Sequence, residues 1–152
     1  MSKKLWYEWK DMQRDTNSLC REVVMDKFDP NVIVGISRGG LLPGVMMSHW
    51  LSKPFKPIIA ALRDFPEWEE YLPRKSDDKV LIVDDVCDSG ATFEKLSKIL
   101  EERGKGVEVR FASLWWNNEV DFEPHYYAQE CAKDSENIWI HFPWENWWNS
   151  PT

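Results

Sequence analysis

Val80-Leu81-Ile82-Val83-Asp84-Asp85-Val86-Cys87-Asp88-Ser89-Gly90-Ala91-Thr92 is the stretch that decides the fold. Four apolar residues read as a buried strand, Val80–Val83. Two carboxylates stand at its end, where the chain reaches solvent. A small, hydroxyl-bearing turn then opens a helix over Thr92–Arg103, which Gly104 stops. The amides of Asp88–Thr92 would converge near the helix N-terminus, an arrangement suited to an anion. Ser89 and Thr92 add hydroxyl donors, and Gly90 lets the backbone approach a ligand closely. Asp84 and Asp85 are acceptors, suited to a sugar diol and to a hydrated magnesium ion.

Working outward, strands alternate with helices. Glu8–Lys27 carries Met12, Leu19, Val23 and Val24 at helical spacing. Val32–Ile36 is a short buried strand, followed by Gly39-Gly40 and an apolar helix over Leu42–Leu51 with Pro43 near its first turn. Pro57–Leu62 reads as a strand and the polar, proline-punctuated Arg63–Asp78 as a loop. Val107, Val109 and Phe111 alternate in a further strand, and Tyr126–Ala128 and Ile138–His141 are shorter candidates. The pattern predicts one α/β domain over residues 1–152, a mostly parallel twisted sheet flanked by helices, with ligands beyond the carboxyl ends of its strands.

Composition narrows the function classes. A chain of 152 residues holds one sheet with its helices rather than two full domains. The net charge of −7 argues against nucleic acid as the main partner. It leaves open an anionic small ligand held by local amides and a metal ion. Three cysteines without a C-x-x-C pair suit a reducing compartment. No apolar run is long enough to span a bilayer, and Met1–Lys10 does not read as a signal peptide, so a cytoplasmic location is expected. Ten tryptophans are many, with Trp6, Trp9, Trp144, Trp147 and Trp148 near the two ends. They read as packing or a subunit contact.

A phosphate cradle, a diol and a metal together describe phosphoribosyl diphosphate, and Val80–Thr92 resembles the motif that binds it in type I phosphoribosyltransferases. The resemblance implies that family's fold, a Rossmann-like parallel core with a small base-binding hood here contributed by residues 117–152. It implies that Asp84 and Asp85 hold the ribose diol, with Asp85 also near Mg2+, and that Ser89, Gly90, Ala91 and Thr92 cradle the 5-phosphate. Asp88 would sit beside the base and assist proton transfer. Gly35-Ile36-Ser37-Arg38-Gly39-Gly40 resembles the loop that holds the diphosphate. Its diglycine would free backbone amides and Arg38 would offer a charged fork, with a cis peptide implied at Ser37–Arg38. Residues 63–78 would form a lid.

Asn137-Ile138-Trp139-Ile140-His141-Phe142-Pro143-Trp144-Glu145 resembles the base-binding segment of xanthine-guanine phosphoribosyltransferases. Trp9-Lys10-Asp11-Met12 and Ser37–Gly44 also look like that family. Trp139 would stack on a purine, and the Ile140 carbonyl would accept from an exocyclic amine. Asn117 stands where that family has a lysine that meets the 6-oxo group of the base. The implied reaction joins phosphoribosyl diphosphate to xanthine, guanine or hypoxanthine, with Asp88 and Arg38 as catalytic residues, in a homo-dimer or homo-tetramer.

Two other classes fit part of the chain. Residues 35–39 also match G-x-S-x-G, so Ser37 could be a hydrolase nucleophile with Asp84 or Asp85 and His125 or His141. That reading leaves Asp84–Thr92 unexplained. The domain could also bind phosphoribosyl diphosphate as a regulator without catalysis. A strand ending in Asp-Asp resembles that of ATPases, but there is no G-x-x-x-x-G-K-[ST] run. His49, His125 and His141 have no ligand spacing and read as structural.

Overall fold

The Val80 run is the middle strand of a five-stranded sheet. In this computed structural model, which describes residues 2–59, 79–103 and 107–149, the elements are β1 (Lys3–Trp6), α1 (Trp9–Met25), β2 (Val32–Ser37), α2 (Leu41–Leu51), β3 (Phe55–Ile59), β4 (Lys79–Cys87), α3 (Ala91–Arg103), β5 (Glu108–Asn117), β6 (Tyr126–Cys131) and β7 (Ile138–His141). The large sheet has the order β3-β2-β4-β5-β6, and every pair in it is parallel. β2 takes β3 on one side and β4 on the other. The strand order therefore reverses between β2 and β4, and a crevice is expected at their carboxyl ends. Both Ser37–Gly40 and Asp84–Thr92 lie at that switch.

The pleat explains the two core layers. Leu81 and Val83 point into a cluster with Met12, Leu19, Val23 and Met47 of α1 and α2. Val80 and Ile82 point the other way, onto Phe93, Leu96 and Leu100 of α3. A strand buried on both faces reads as continuous apolar sequence, as Val80–Val83 does.

Several boundaries differ from those the sequence suggests. β4 does not stop at Val83. Its ladder with β5 continues through Val86↔Trp115 and Cys87↔Trp116, so Asp84 and Asp85 sit within the strand. α1 begins one residue later than expected, because Glu8 is its N-cap in a capping box closed by Asp11, whose carboxylate accepts from the Glu8 amide at 3.0 Å. Val24 is 53% exposed: the buried stripe follows Met12, Thr16, Leu19 and Val23, and Val24 lies about 100° further round. β3 starts at Phe55; the rest of the expected strand, the lid at 63–78 and Gly104 lie outside the described residues.

One element had no local signal. Lys3–Trp6 forms β1, parallel to β7 with Leu5↔Ile140 in register. It makes a separate two-stranded sheet that places the N-terminal segment beside the Trp139 segment. Of the five terminal tryptophans, Trp144 packs against the core and stacks on Phe142, whereas Trp6, Trp9, Trp147 and Trp148 are exposed. Among the described residues no helix is long and apolar enough to cross a membrane.

Candidate functional site

The two turns at the β2/β4 switch touch directly. A Cβ placed on Gly39 would stand 2.0 Å from Asp85 Oδ2, so only glycine lets the first loop lie against the β4 carboxylate. The diglycine acts mainly through this closeness. The Gly40 amide is not free for an anion, since it donates to the Ile36 carbonyl at 2.7 Å. The Ser37–Arg38 peptide is cis, and the Arg38 side chain is exposed on a cleft of about 780 Å³ that Asp85, Trp139, His141 and Glu145 also line.

Asp84 and Asp85 start toward opposite faces of the strand, yet their carboxyl groups meet through a side-chain hydrogen bond at the sheet rim. Burial first, then the neighbouring charge, holds Asp84 protonated well above the usual carboxylate range. Burial also raises Asp85, opposed by its hydrogen bonds. Glu145 is raised by burial and by the charge of Asp85. Such a rim favours a cation or a diol, either of which relieves the repulsion. Among the described residues no group of acids, histidines and cysteines could hold a metal ion unaided. Magnesium commonly binds one or two carboxylates plus substrate oxygens, and the Asp84–Asp85 pair fits that role.

Beyond β4 the chain turns through Gly90, whose φ of 79° lies in the left-handed region and whose Cβ would meet Phe122 at 2.7 Å. Glycine is required there on both counts. A recess of about 80 Å³ opens at this turn, lined by Asp84, Asp88, Ser89, Gly90 and Thr92 among others. Ser89 Oγ accepts from the Ala91 amide at 3.2 Å, so this hydroxyl caps α3 and Ala91 is engaged. Among the described residues no protein acceptor meets the amides of Gly90 or Thr92, which remain for an anion at the helix start.

The second recess, of about 180 Å³, is lined by Asp85, Asp88, Lys133, Trp139 and Ile140. Trp139 is 53% exposed between buried Ile138 and Ile140, because β7 alternates; a core role for this ring is excluded. The carbonyls of Asn137 and His141 accept from Lys3 and Tyr7 of the N-terminal segment. By strand alternation the Ile140 carbonyl, one residue off, points to the opposite edge of β7.

Asn117 does not reach this recess as a ligand. It is fully buried, and its Nδ2 donates to the Asp88 carbonyl at 3.2 Å and to Asp134 Oδ2 at 3.1 Å. Its Oδ1 accepts from the Glu119 amide at 3.3 Å and the Lys133 amide at 3.1 Å. Both donors and both lone pairs are taken, so the expectation that Asn117 meets the base is corrected: it ties the Asp88 turn to the turn after β6. From that turn Lys133 extends its ammonium to 2.8 Å from Asp88 Oδ2, 5.8 Å from the centre of the Trp139 ring. Nothing near Cys131-Ala132-Lys133 in the sequence marks this residue, whereas Glu145 could have been read from its Pro-Trp-acid run.

The hydrolase constellation is not assembled. His125 Nδ1 accepts from the Phe111 amide at 3.0 Å. His125 precedes β6, three strand spacings from Ser37 on β2, about 14 Å away. His141 packs on Trp6, ring centres 4.3 Å apart. Among the described residues no histidine hydrogen-bonds Ser37.

The chain is similar in sequence and fold to known proteins. A xanthine-guanine phosphoribosyltransferase of Chromohalobacter salexigens is 26% identical over 143 residues, covering 90% of this chain and 81% of that protein. One from Idiomarina loihiensis is 25% identical, covering 95% and 88%. Among solved structures, a purine phosphoribosyltransferase from Pyrococcus horikoshii matches with a TM-score of 0.75 at 29% identity, over 98% of this chain and 96% of that one. The Helicobacter pylori xanthine-guanine-hypoxanthine phosphoribosyltransferase shares the fold, with a TM-score of 0.80 at 20% identity over 95% of each chain. The phosphoribosyl transferase domain family matches residues 6–150, and with nearly the whole chain inside that match, the protein belongs to this family of enzymes.

Proposed function

We propose that the chain transfers 5-phosphoribose from phosphoribosyl diphosphate to a ring nitrogen of an oxopurine: xanthine, guanine or hypoxanthine. One observation carries this reading. The 80 Å³ recess at the start of α3 and the 180 Å³ recess under Trp139 share Val86 and Asp88 as walls. A sugar phosphate in the first and a flat base in the second would meet over Asp88. The names of the relatives point to the same class of base.

In this reading the C1–oxygen bond to diphosphate breaks and its electron pair leaves with diphosphate. A C1–nitrogen bond forms, and the ring nitrogen gives up its proton, which Asp88 would accept. The amides of Gly90 and Thr92 fix the 5-phosphate, Ser89 and Ala91 shape the turn around it through their own hydrogen bond, and Asp84 and Asp85 take the ribose diol. Ser37, Arg38, Gly39 and Gly40 line the path of the diphosphate, and Arg38 offsets its charge. Trp139 and the Ile140 carbonyl orient the base, so positioning supplies much of the rate enhancement. Asp85 would hold Mg2+ together with substrate oxygens, and the ion when bound neutralises charge on the departing diphosphate. Exposed Leu42, Val45 and Trp50 along α2 support a homo-dimer or homo-tetramer.

The test is diphosphate release with magnesium, phosphoribosyl diphosphate and guanine, xanthine, hypoxanthine, adenine, uracil or orotate. Release with an oxopurine is expected. Release with orotate or uracil alone would overturn the base assignment. No release with any base, while phosphoribosyl diphosphate still binds, would identify a regulator instead.

A further inference from the structure

We infer that Lys133 is the specificity-determining residue of the base recess, its ammonium being the donor that meets a carbonyl oxygen on the incoming base. The inference rests on the transfer reading above and adds the group that chooses the base.

The Lys133 side chain is 16% exposed and ion-paired to Asp88, so its charge is directed into the recess rather than into solvent. An ammonium has three donors and no acceptor. Asp88 Oδ2 takes one of them and leaves the others for a ligand. The facing groups are complementary: Trp139 and Ile140 line the same recess, the exposed Trp139 ring offers a flat surface, and the Ile140 carbonyl, turned away from β1 by strand alternation, would offer an acceptor. The recess therefore matches a flat heterocycle with an acceptor toward Lys133 and a donor toward Ile140. An amino group in place of the oxo group would set donor against donor. The support is built in. The Lys133 amide donates to Asn117 Oδ1 while Asn117 Nδ2 donates to the Asp88 carbonyl. One buried side chain thus holds both ends of the ion pair in register.

The experiment compares the whole chain with Lys133→Met and Lys133→Arg. It measures kcat and KM for guanine, hypoxanthine and adenine, and KM for phosphoribosyl diphosphate. Removing one hydrogen bond from a charged donor is expected to lower kcat/KM for the oxopurines by about 10–100-fold. That loss should be carried mainly by the base KM. Any effect through Asp88 is shared by all bases, so activity with adenine should fall clearly less than activity with the oxopurines, KM for phosphoribosyl diphosphate should not move, and Lys133→Arg should recover part of the loss. An equal loss with all three bases overturns the inference, because Lys133 would then act only through Asp88. Oxopurine kinetics that do not change also overturn it. The wild-type chain separates this failure from failure of the transfer reading. If it releases no diphosphate with any base, that reading falls, and guanine binding followed by tryptophan fluorescence decides on Lys133 instead. Binding lost in Lys133→Met supports the inference, and binding retained overturns it.

Discussion

The two halves of the proposed site, one for phosphoribosyl diphosphate and one for the base, are built by different means. The phosphoribosyl half comes from contiguous chain: β4 delivers Asp84 and Asp85, the next turn delivers Asp88–Gly90, and α3 begins at once. Its partner loop, Ser37–Gly40, likewise continues straight from β2. The base half is assembled from segments far apart in the chain. Lys133 follows β6, Trp139 and Ile140 belong to β7, β7 is paired by β1, and Asn117 at the end of β5 binds the pieces together. A contiguous half changes only when its own motif changes. An assembled half can move a functional group from one strand end to another without loss of the fold. Substitutions in the first half should therefore abolish turnover, whereas those in the second should redirect or weaken base use.

The largest effect is expected at Asp85. Asp85→Asn keeps the shape of the rim but removes the charge that suits a cation, and kcat/KM should fall on the order of 10²–10³-fold. Circular dichroism should report an unchanged fold. Turnover at the wild-type level, with the same magnesium dependence, would break the comparison at its strongest point. Next comes Gly39→Ala. Its Cβ would stand 2.0 Å from Asp85 Oδ2, so loop and carboxylate must part. A misplacement of about 1 Å near the chemistry costs about 10²-fold, here read as a raised KM for phosphoribosyl diphosphate with the base KM unmoved.

The same contrast sets what could be read without coordinates. Val80–Thr92 was legible because its signals are local: an apolar run, paired acids, a glycine that needs a left-handed φ, a helix start. The parallel sheet followed from the alternation of strands and helices, and the Ser37–Arg38 loop from its position after β2. β1 was not legible, because its partner β7 lies at the other end of the chain and supplies the pairing. The extension of β4 to Cys87 depends on β5 being long enough to continue the ladder. Asn117 was expected to meet the base, but at the end of β5 its side chain is engaged within the protein. Only the fold reveals that Asp88, Glu119, Lys133 and Asp134 surround it and use every hydrogen-bonding position it has.

A smaller effect sharpens the comparison from the base side. Trp139→Ala removes the exposed ring from the 180 Å³ recess. Stacking of a base on an aromatic ring contributes about 1–3 kcal/mol in nucleic-acid systems, so the base KM should rise by roughly 5–150-fold. KM for phosphoribosyl diphosphate should stay put, since none of the groups at the start of α3 is touched. If both constants rise together, the halves are coupled and the division fails.

The smallest effect concerns stability without ligands. Asp84 is raised well above 3.8 by burial and by the charge of Asp85. Between 3.8 and that raised value the folded state holds a proton that the unfolded chain has released. Stability must then fall as pH rises through that interval. At neutral pH the burial of this carboxyl beside Asp85 therefore opposes folding. Asp84→Asn removes that opposition, so the variant should melt a few degrees higher than the wild type at pH 7 with neither magnesium nor phosphoribosyl diphosphate present. The gap should close toward pH 4, where the wild-type pair carries its proton. Thermal melts of both proteins across pH 4–8 read this directly. A variant that melts lower at pH 7, or a gap that does not vary with pH, would mean that the Asp84 carboxylate contributes to folding by its hydrogen bond to the Asp85 amide at 2.8 Å rather than opposing it by its charge. If the gap does follow pH, the acids that make the phosphoribosyl half recognisable in sequence are held there against the stability of the empty protein, and substrate or metal should restore more stability to the wild type than to the variant.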